Sequence, residues 1–337
     1  MDTEPNKRPD AYDSKEDFRR FIGMILHFGP LLPAALIVIV VSVLMTKVLK
    51  FSSSTPSVVV YAAQDQVYAE PILKEFERQT GIKVRAVYDS EATKTVAIVN
   101  RLIAERDHPQ CDVYWGNEEL RTRQLASRNI FRATNSWAAF GYRSRRVAVP
   151  VTHTNPVGPA SLLELTNPVY RGKVALAYPL FGTTATHFLA LRQHWGESNW
   201  LAWCRALSAN KPFLVDGNSV AAKFVARGEA AICLTDSDDI AAENRDGARL
   251  KVLPMSGETL LIPNTVAITR NAPHPEAAQR LFDYLQTSAV TERLVQAGAL
   301  EGAWAADVWG ATLKPDWDAV LGNLDAATAV LRSIFLR

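Results

Sequence analysis

Three strand-like runs, each followed by a helical repeat, restrict this chain to few architectures. Residues 58–62 (VVVYA) and 111–115 (CDVYW) read as buried strands, and 83–88 (KVRAVY) alternates as a third. A helix is expected over 68–80, with Ile72, Leu73 and Phe76 inward and Gly81 as its stop. A second spans 91–106, with Val96, Val99, Leu102 and Ile103 inward, and is broken by Pro109; a third spans 118–127. This β-α-β-α-β order argues for a parallel, doubly wound sheet, in which ligands sit beyond the C-terminal ends of the strands. Gln64, Asp65 and Gln66, then Asp89 to Glu91, then Trp115 to Glu118 fall at those ends.

The pattern continues after an interruption. Residues 142–151 (YRSRRVAVPV) are extended, carry a basic cluster and fit a strand crossing to a second lobe. Residues 161–165 read as a short helix and 168–173 as a turn. Residues 174–178 read as a buried strand stopped by Pro179. Gly182 allows close backbone approach, and Thr183 or Thr184 can cap a helix running through His187 and Leu191. Further strands are expected at 212–215, 230–234 (AAICL) and 252–255, with an extended stretch over 260–269 that contains Asn264. Helices are expected from Asp216–Ser219 to about Arg227, over 275–286 and over 290–297. Trp317, Val320, Leu321, Leu324, Leu331, Ile334 and Phe335 share one helical face that should pack back on the body.

Three polar clusters follow the apolar strands of the second set: Gly182–Thr184, Asn218–Ser219 and Thr235–Asp239. Each opens a helix, whose first N–H groups lack internal partners and whose dipole favours an anion. Three such clusters in one cleft point to a binding site. The plainer alternative is N-capping, which fits Asp239 better than Asp236 or Asp238. EF-hand spacing is absent, and so are GxSxG, HExxH and Walker A signatures. His153, His187 and His274 read as structural, and Trp195, Trp200 and Trp203 as core.

Composition sets the wider frame. At 337 residues, with 48% hydrophobic and 21% charged residues, the chain is a folded protein of two domains. A net charge of +2 with no long Lys/Arg-rich tract argues against a nucleic-acid partner. Cys111, Cys204 and Cys233 share no CxxC spacing and sit in apolar contexts; a Cys204–Cys233 disulfide is the one pairing considered. Residues 21–46 are apolar over a length that spans a bilayer. Lys7, Arg8, Lys15, Arg19 and Arg20 precede that run, against Lys47 and Lys50 after it, so the N-terminal side is cytoplasmic. No cleavage site follows, which favours an uncleaved signal anchor in the inner (cytoplasmic) membrane. The expected order is a cytoplasmic tail (1–20), a transmembrane signal anchor (21–46), a linker (47–57), one lobe (58–143 and 256–305), a second lobe (144–255) and a C-terminal helical segment (306–337).

The segments YAAQDQVYAEPILKEFERQTGIKV, CDVYWGNE, NPVYRGKVAL, GNSVAAKFVARGEAAICLTDSDD and PNTVAITRNAPHPEAAQRLFDYL, in that order, resemble the ferric-binding-protein family. These are substrate-binding proteins of ABC importers. The resemblance covers about residues 58–296 and implies a two-lobed, type II periplasmic-binding-protein fold that closes on a solute. It implies an anion on the helix start Gly182, Thr183 and Thr184, helped by Asn218. The family's iron is held by adjacent tyrosines after the strand that is AAICL here, and this chain has Ser237 and Asp238 there. Asn117, followed by Glu118, stands where the family often has an acid. The ligand classes left open are a small phosphorylated or phosphonate solute and a metal held by Asp65, Asp236 and Asp238. The expected binding set is Gln64, Asp65, Asn117, Gly182, Thr183, Thr184, Asn218, Ser219, Thr235, Asp236, Asp238 and Asn264. The expected partners are that small-molecule or metal ligand, an ABC permease subunit and, through the N-terminal helix, the membrane. Two rivals stand beside this reading: a ligand-sensing subunit for a membrane partner, and a hydrolase or lyase on the same fold.

Overall fold

The structure is a computed structural model that describes residues 19–20, 22–23, 41–42, 55–88, 94–152, 158–255, 257–305, 310 and 312–336. Residues 1–55 and 56–337 form separate units. In the first, the described residues 19, 20, 22, 23, 41 and 42 are helical. The rest of the apolar run, the tail, most of the linker, His153 and residues 89–93 with Asp89 and Glu91 lie outside the described residues. Among the described residues no helix is long and apolar enough to cross a membrane.

The second unit opens with β1 (Ser57–Ala62), α1 (Gln66–Thr80), β2 (Lys83–Tyr88), α2 (Lys94–Ala104), β3 (Val113–Gly116) and α3 (Glu119–Ser127). The crossover helices force these strands parallel, and β1 sits between β2 and β3. Next comes β4 (Ala138–Pro150), then β5 (Val174–Ala177), α4 (Gly182–Trp195), α5 (Glu197–Ala209), β6 (Phe213–Val215), α6 (Asn218–Ala226), β7 (Ile232–Asp236) and α7 (Ser237–Arg245). β5 is parallel to both β6 and β7. The chain returns through β8 (Leu250–Leu253), β9 (Leu261–Ile268), α8 (Pro275–Leu285), α9 (Ser288–Gln296) and β10 (Gly302–Ala303). It ends in α10 (Trp317–Gly322) and α11 (Leu324–Phe335).

The strand order is β2-β1-β3-β9-β4-β7-β5-β6, with β8 and β10 also on β4. The fold is therefore mixed rather than purely parallel: β9 runs antiparallel to β3, and β4 antiparallel to β9 and β7. β4 is the joint. Its first half, Ala138 to Ser144, pairs with β9, and its second, Arg145 to Pro150, pairs with β7 and β8. Apolar packing divides at the same place. Phe76, Ile82 and Trp115 lie in one core, and Leu176, Phe188, Trp203 and Leu234 in another. The C-terminal face expected from the sequence joins the second core through Trp317, Val320, Leu324, Leu331, Ile334 and Phe335. Trp200 and Trp203 are buried there too, and Trp195 packs against that core. All three cysteines are free and buried, which corrects the Cys204–Cys233 disulfide considered above. Apolar surroundings raise the Cys233 thiol to about 12, so it behaves as a small core side chain.

Candidate binding cleft

The C-terminal strand ends of both halves meet in one cleft. Its walls include Asp65, Thr95 and Asn117 from the first half and Gly182–Thr184, Gly217, Asn218, Asp236 and Asp238 from the second. Tyr178, Asp216, Asp239 and Arg143 complete the polar lining, around about 560 Å³ of space open to solvent. Every helix that follows a strand in this region begins here, so helix N-termini converge on the cleft, as expected at the strand ends of an α/β sheet.

These helix starts differ in kind. At α3, Glu118 is the N-cap and accepts from the N–H of Leu120 (2.8 Å) and Arg121 (2.9 Å). It also accepts from Thr186 Oγ1 at 3.0 Å, and burial raises its carboxyl above the ordinary value. At α7, Asp239 accepts from Thr235 Oγ1 (2.9 Å) and from the Asp236 N–H (3.4 Å). Asp236 is itself the N-cap and forms a capping box with Asp239, so the capping alternative fits both, which corrects the expectation that it would suit Asp236 less. At α4 and α6 the first turn holds no acid, and no side chain caps the helix. The N-cap of α4 is Phe181, which corrects the expectation that Thr183 or Thr184 would cap it. The first intrahelical bond runs from the Ala185 N–H to the Phe181 carbonyl, so the preceding N–H groups have no helical acceptor. Gly182 is needed for its conformation rather than for space. Its φ is +53°, and a Cβ there would come no nearer than 3.9 Å to Thr95 Oγ1.

The threonine hydroxyls are turned to side chains instead of the helix. Thr183 Oγ1 donates to Asp236 Oδ2 at 2.8 Å and accepts from Asn218 Nδ2 at 2.9 Å. Thr184 Oγ1 donates to Asn218 Oδ1 at 2.9 Å. Two arginines of β4 hold the centre of this network. Arg145, buried, donates from Nη1 to Asp236 Oδ1 (2.7 Å) and Asn218 Oδ1 (2.9 Å). Arg143 lies 3.3 Å from Asp236 Oδ2 and 3.4 Å from Asp238 Oδ1. Burial works to raise the Asp236 carboxyl, but the Arg145 and Arg143 charges outweigh it and hold it below its ordinary value. Burial likewise opposes the charge on Arg143, and Asp238, Asp236 and Asp65 overcome it and push its pKa up. Asp239 is pushed well above its ordinary value by burial, then by the carboxylates of Asp238, Asp236 and Asp65.

Of the expected residues, the cleft brings together Asp65, Asn117, Gly182, Thr183, Thr184, Asn218, Asp236 and Asp238. Gln64 and Asn264 are buried, their amide atoms have no hydrogen-bond partner among the described residues, and they do not line the cleft. Thr235 and Ser219 do not line it either; Thr235 supports it by donating to the Asn218 carbonyl at 2.8 Å. The oxygens of Asp236, Asp238 and Asp239 lie within 4.8 Å of one another, a grouping that could hold a cation. The sequence reading missed Arg143 and Arg145 as site residues. Their spacing of two on a strand that is otherwise apolar at its second half, which turns both to one face, was the available signal.

Residues 57–300 match the family model of bacterial extracellular solute-binding proteins. An uncharacterized protein of Haemophilus influenzae is 24% identical over 256 residues, 67% of this chain and 71% of that protein. Iron-bound HitA from Pseudomonas aeruginosa superposes with a TM-score of 0.70 at 18% identity, over 83% of this chain and 99% of that one. AfuA from Actinobacillus pleuropneumoniae, solved with exogenous fructose-6-phosphate bound, gives a TM-score of 0.69 at 20% identity, over 83% and 98% of the two chains. Apo ferric ion-binding protein A from Pasteurella haemolytica gives 0.70 at 18% identity, over 82% and 97%. The chain therefore belongs to the bacterial extracellular solute-binding proteins and carries the fold seen in the ferric-binding proteins.

Proposed function

We propose that this protein is the solute-binding component of an ABC importer and that its cleft takes a small solute bearing an oxyanion, of the phosphate-monoester class. The observation that carries this reading is the pairing of two helix starts, α4 and α6, that lack both an acid and a side-chain cap, beside Arg143. Such a corner supplies N–H donors and a guanidinium to an anion. Asp65, on the first half's wall, and Asp238, beside Arg143, would receive the solute's hydroxyls. AfuA, a fold relative, was solved with fructose-6-phosphate, which has both kinds of group. The metal alternative on Asp65, Asp236 and Asp238 is weaker, because Arg143 and Arg145 already engage Asp236 and place two positive charges beside any cation. The positions of the iron-holding tyrosines expected from the family are Ser237 and Asp238.

The proposed lobes are 58–143 with 256–305, and 144–255, closing about β4 and β9. Residues 21–46 would keep the chain in the inner membrane as a single-pass anchor, with the lobes in the periplasm or extracellular space, where the permease subunit is met. The test is titration calorimetry of the purified protein with fructose 6-phosphate, inorganic phosphate and ferric citrate, beside native mass spectrometry and metal analysis of the protein as isolated. Binding of a phosphate ester is expected. Tight binding of a ferric ion with no response to any phosphate would overturn the anion reading.

A further inference from the structure

Helix α7 has two ends with different surroundings. Its start, Asp236 to Asp239, forms the cleft wall on the second half-sheet. Its last residue, Arg245, reaches the first half of the molecule. Arg245 Nη1 donates to the Ala297 carbonyl at 2.6 Å, and Nη2 donates to Tyr68 Oη at 2.9 Å. Ala297 is the C-cap of α9, and Tyr68, on α1, is buried in the first core. A guanidinium at a helix C-terminus meets the negative end of the dipole and a carbonyl with no acceptor role inside the helix. The turn that receives it fits closely. Gly298 has φ +74°, and a Cβ there would stand 2.1 Å from Arg245 Nη1 and 3.2 Å from the Ala241 Cβ.

We infer that Arg245 is a closure latch: it joins the two halves, at the end of α7 away from the cleft, only when the lobes are shut, and so sets the open–closed balance without touching the solute. The latch rests on the two-lobed closure proposed above. Nine residues of helix span about 13 Å, so α7 is a short rod with the solute wall at one end and the latch at the other. A shift of the Asp236–Asp239 end on solute binding must also move Arg245 relative to Ala297 and Tyr68. Other bonds between the two halves, from Ser144 Oγ and Arg146 Nη2 (3.0 Å) to Glu301, from Arg143 to Asp236, and from Ser161, Leu162 and His187 to Glu258, lie on β4 or at the entry to β9, the crossing strands. The bond from Thr186 to Glu118 is on α4 and α3, away from α7.

The experiment is an inter-lobe distance measurement by pulsed spin-label spectroscopy on the full chain in detergent. Nitroxides at Lys74→Cys on α1 and Arg227→Cys at the end of α6 report it, because both side chains are largely exposed (69% and 70%). The native cysteines are buried, which directs the labels to the new sites. Without solute, the parent should be mostly closed. Arg245→Ala should lower the closed-to-open ratio about tenfold or more, the change expected when a charge-assisted hydrogen bond is lost. Tyr68→Phe, which removes one acceptor and leaves the ring packed, should move the ratio the same way by less. An Arg245→Ala distribution that superposes on the parent's, or a parent already open without solute, overturns the latch. If 10-fold excess fructose 6-phosphate, shown to bind, closes an open parent, only the latch fails; if an open parent keeps its distance with that solute bound, two-lobe closure itself fails.

Discussion

At the scale of single residues, Asp236 behaves as part of the frame. It accepts from Thr183 and is paired with both Arg143 and Arg145 inside the cleft wall. Removing one member of a buried ion pair leaves its partners' charge unmatched and costs about 3–5 kcal/mol. Asp236→Asn should therefore lower the free energy of unfolding by about that much, while Asp238→Asn, which leaves the Arg145 pair in place, should cost less; denaturant titration of both variants distinguishes them. His187 gives a pH prediction. Its Nε2 lies 2.8 Å from the Glu258 carbonyl, which can only accept, so that nitrogen carries a proton. Burial first, and then the Arg145 charge, lower its pKa to about 3. The unfolded chain binds a proton on this ring near pH 6.5, the folded chain only near 3, so stability is lost as pH falls through that window. The expected slope is about 1.4 kcal/mol per pH unit from this group. His187→Gln, which can still donate to Glu258, should flatten it, as read from denaturant midpoints between pH 7 and pH 4.

At the scale of elements, helix starts decide what the cleft does. Glu118 at α3 and Asp239 at α7 neutralise their own dipoles, whereas α4 and α6 leave theirs open. Gly182 makes the α4 start reachable, and an L side chain at φ +53° costs about 1–2 kcal/mol, so Gly182→Ala should both destabilise the chain and weaken phosphate-ester binding. Calorimetry with fructose 6-phosphate checks the second effect, and thermal unfolding the first. The C-terminal helices are structural. Leu331 is fully buried in the core that also holds Phe188 and Leu207. Leu331→Ala should cost about 2–5 kcal/mol, because it leaves a cavity between α11 and that core. An unfolding midpoint equal to the parent's would show that α11 is dispensable.

At the scale of the whole molecule, β4 changes partners between Ser144 and Arg145, and the cleft lies where that change occurs. Bending there would close the walls on a solute, and the proposed anchor leads to a topology measurement. A C-terminal reporter should be active only outside the cytoplasm if 21–46 is an anchor oriented by its flanking basic residues. A cytoplasmically active fusion would reverse that orientation. Much of this plan was legible in the chain. Apolar runs and their spacing sufficed for the strands of both halves, for the helices between them and for the buried C-terminal face, because burial imposes periods of 2 and 3.6 on the residues themselves. The polar strand ends were legible for the same reason: they are where each period stops. Other features depended on tertiary structure. Whether Asp236 would face a solute or an arginine turned on where β4 lies relative to β7, a pairing of residues 91 positions apart. Thr183 and Thr184 looked like caps because local sequence cannot show that Asp236 and Asn218 stand closer to their hydroxyls than their own helix's N–H groups serve them. Local periodicity sufficed for the α/β alternation, but the antiparallel placing of β4 and β9 and the charge balance of the cleft arise only when distant segments meet.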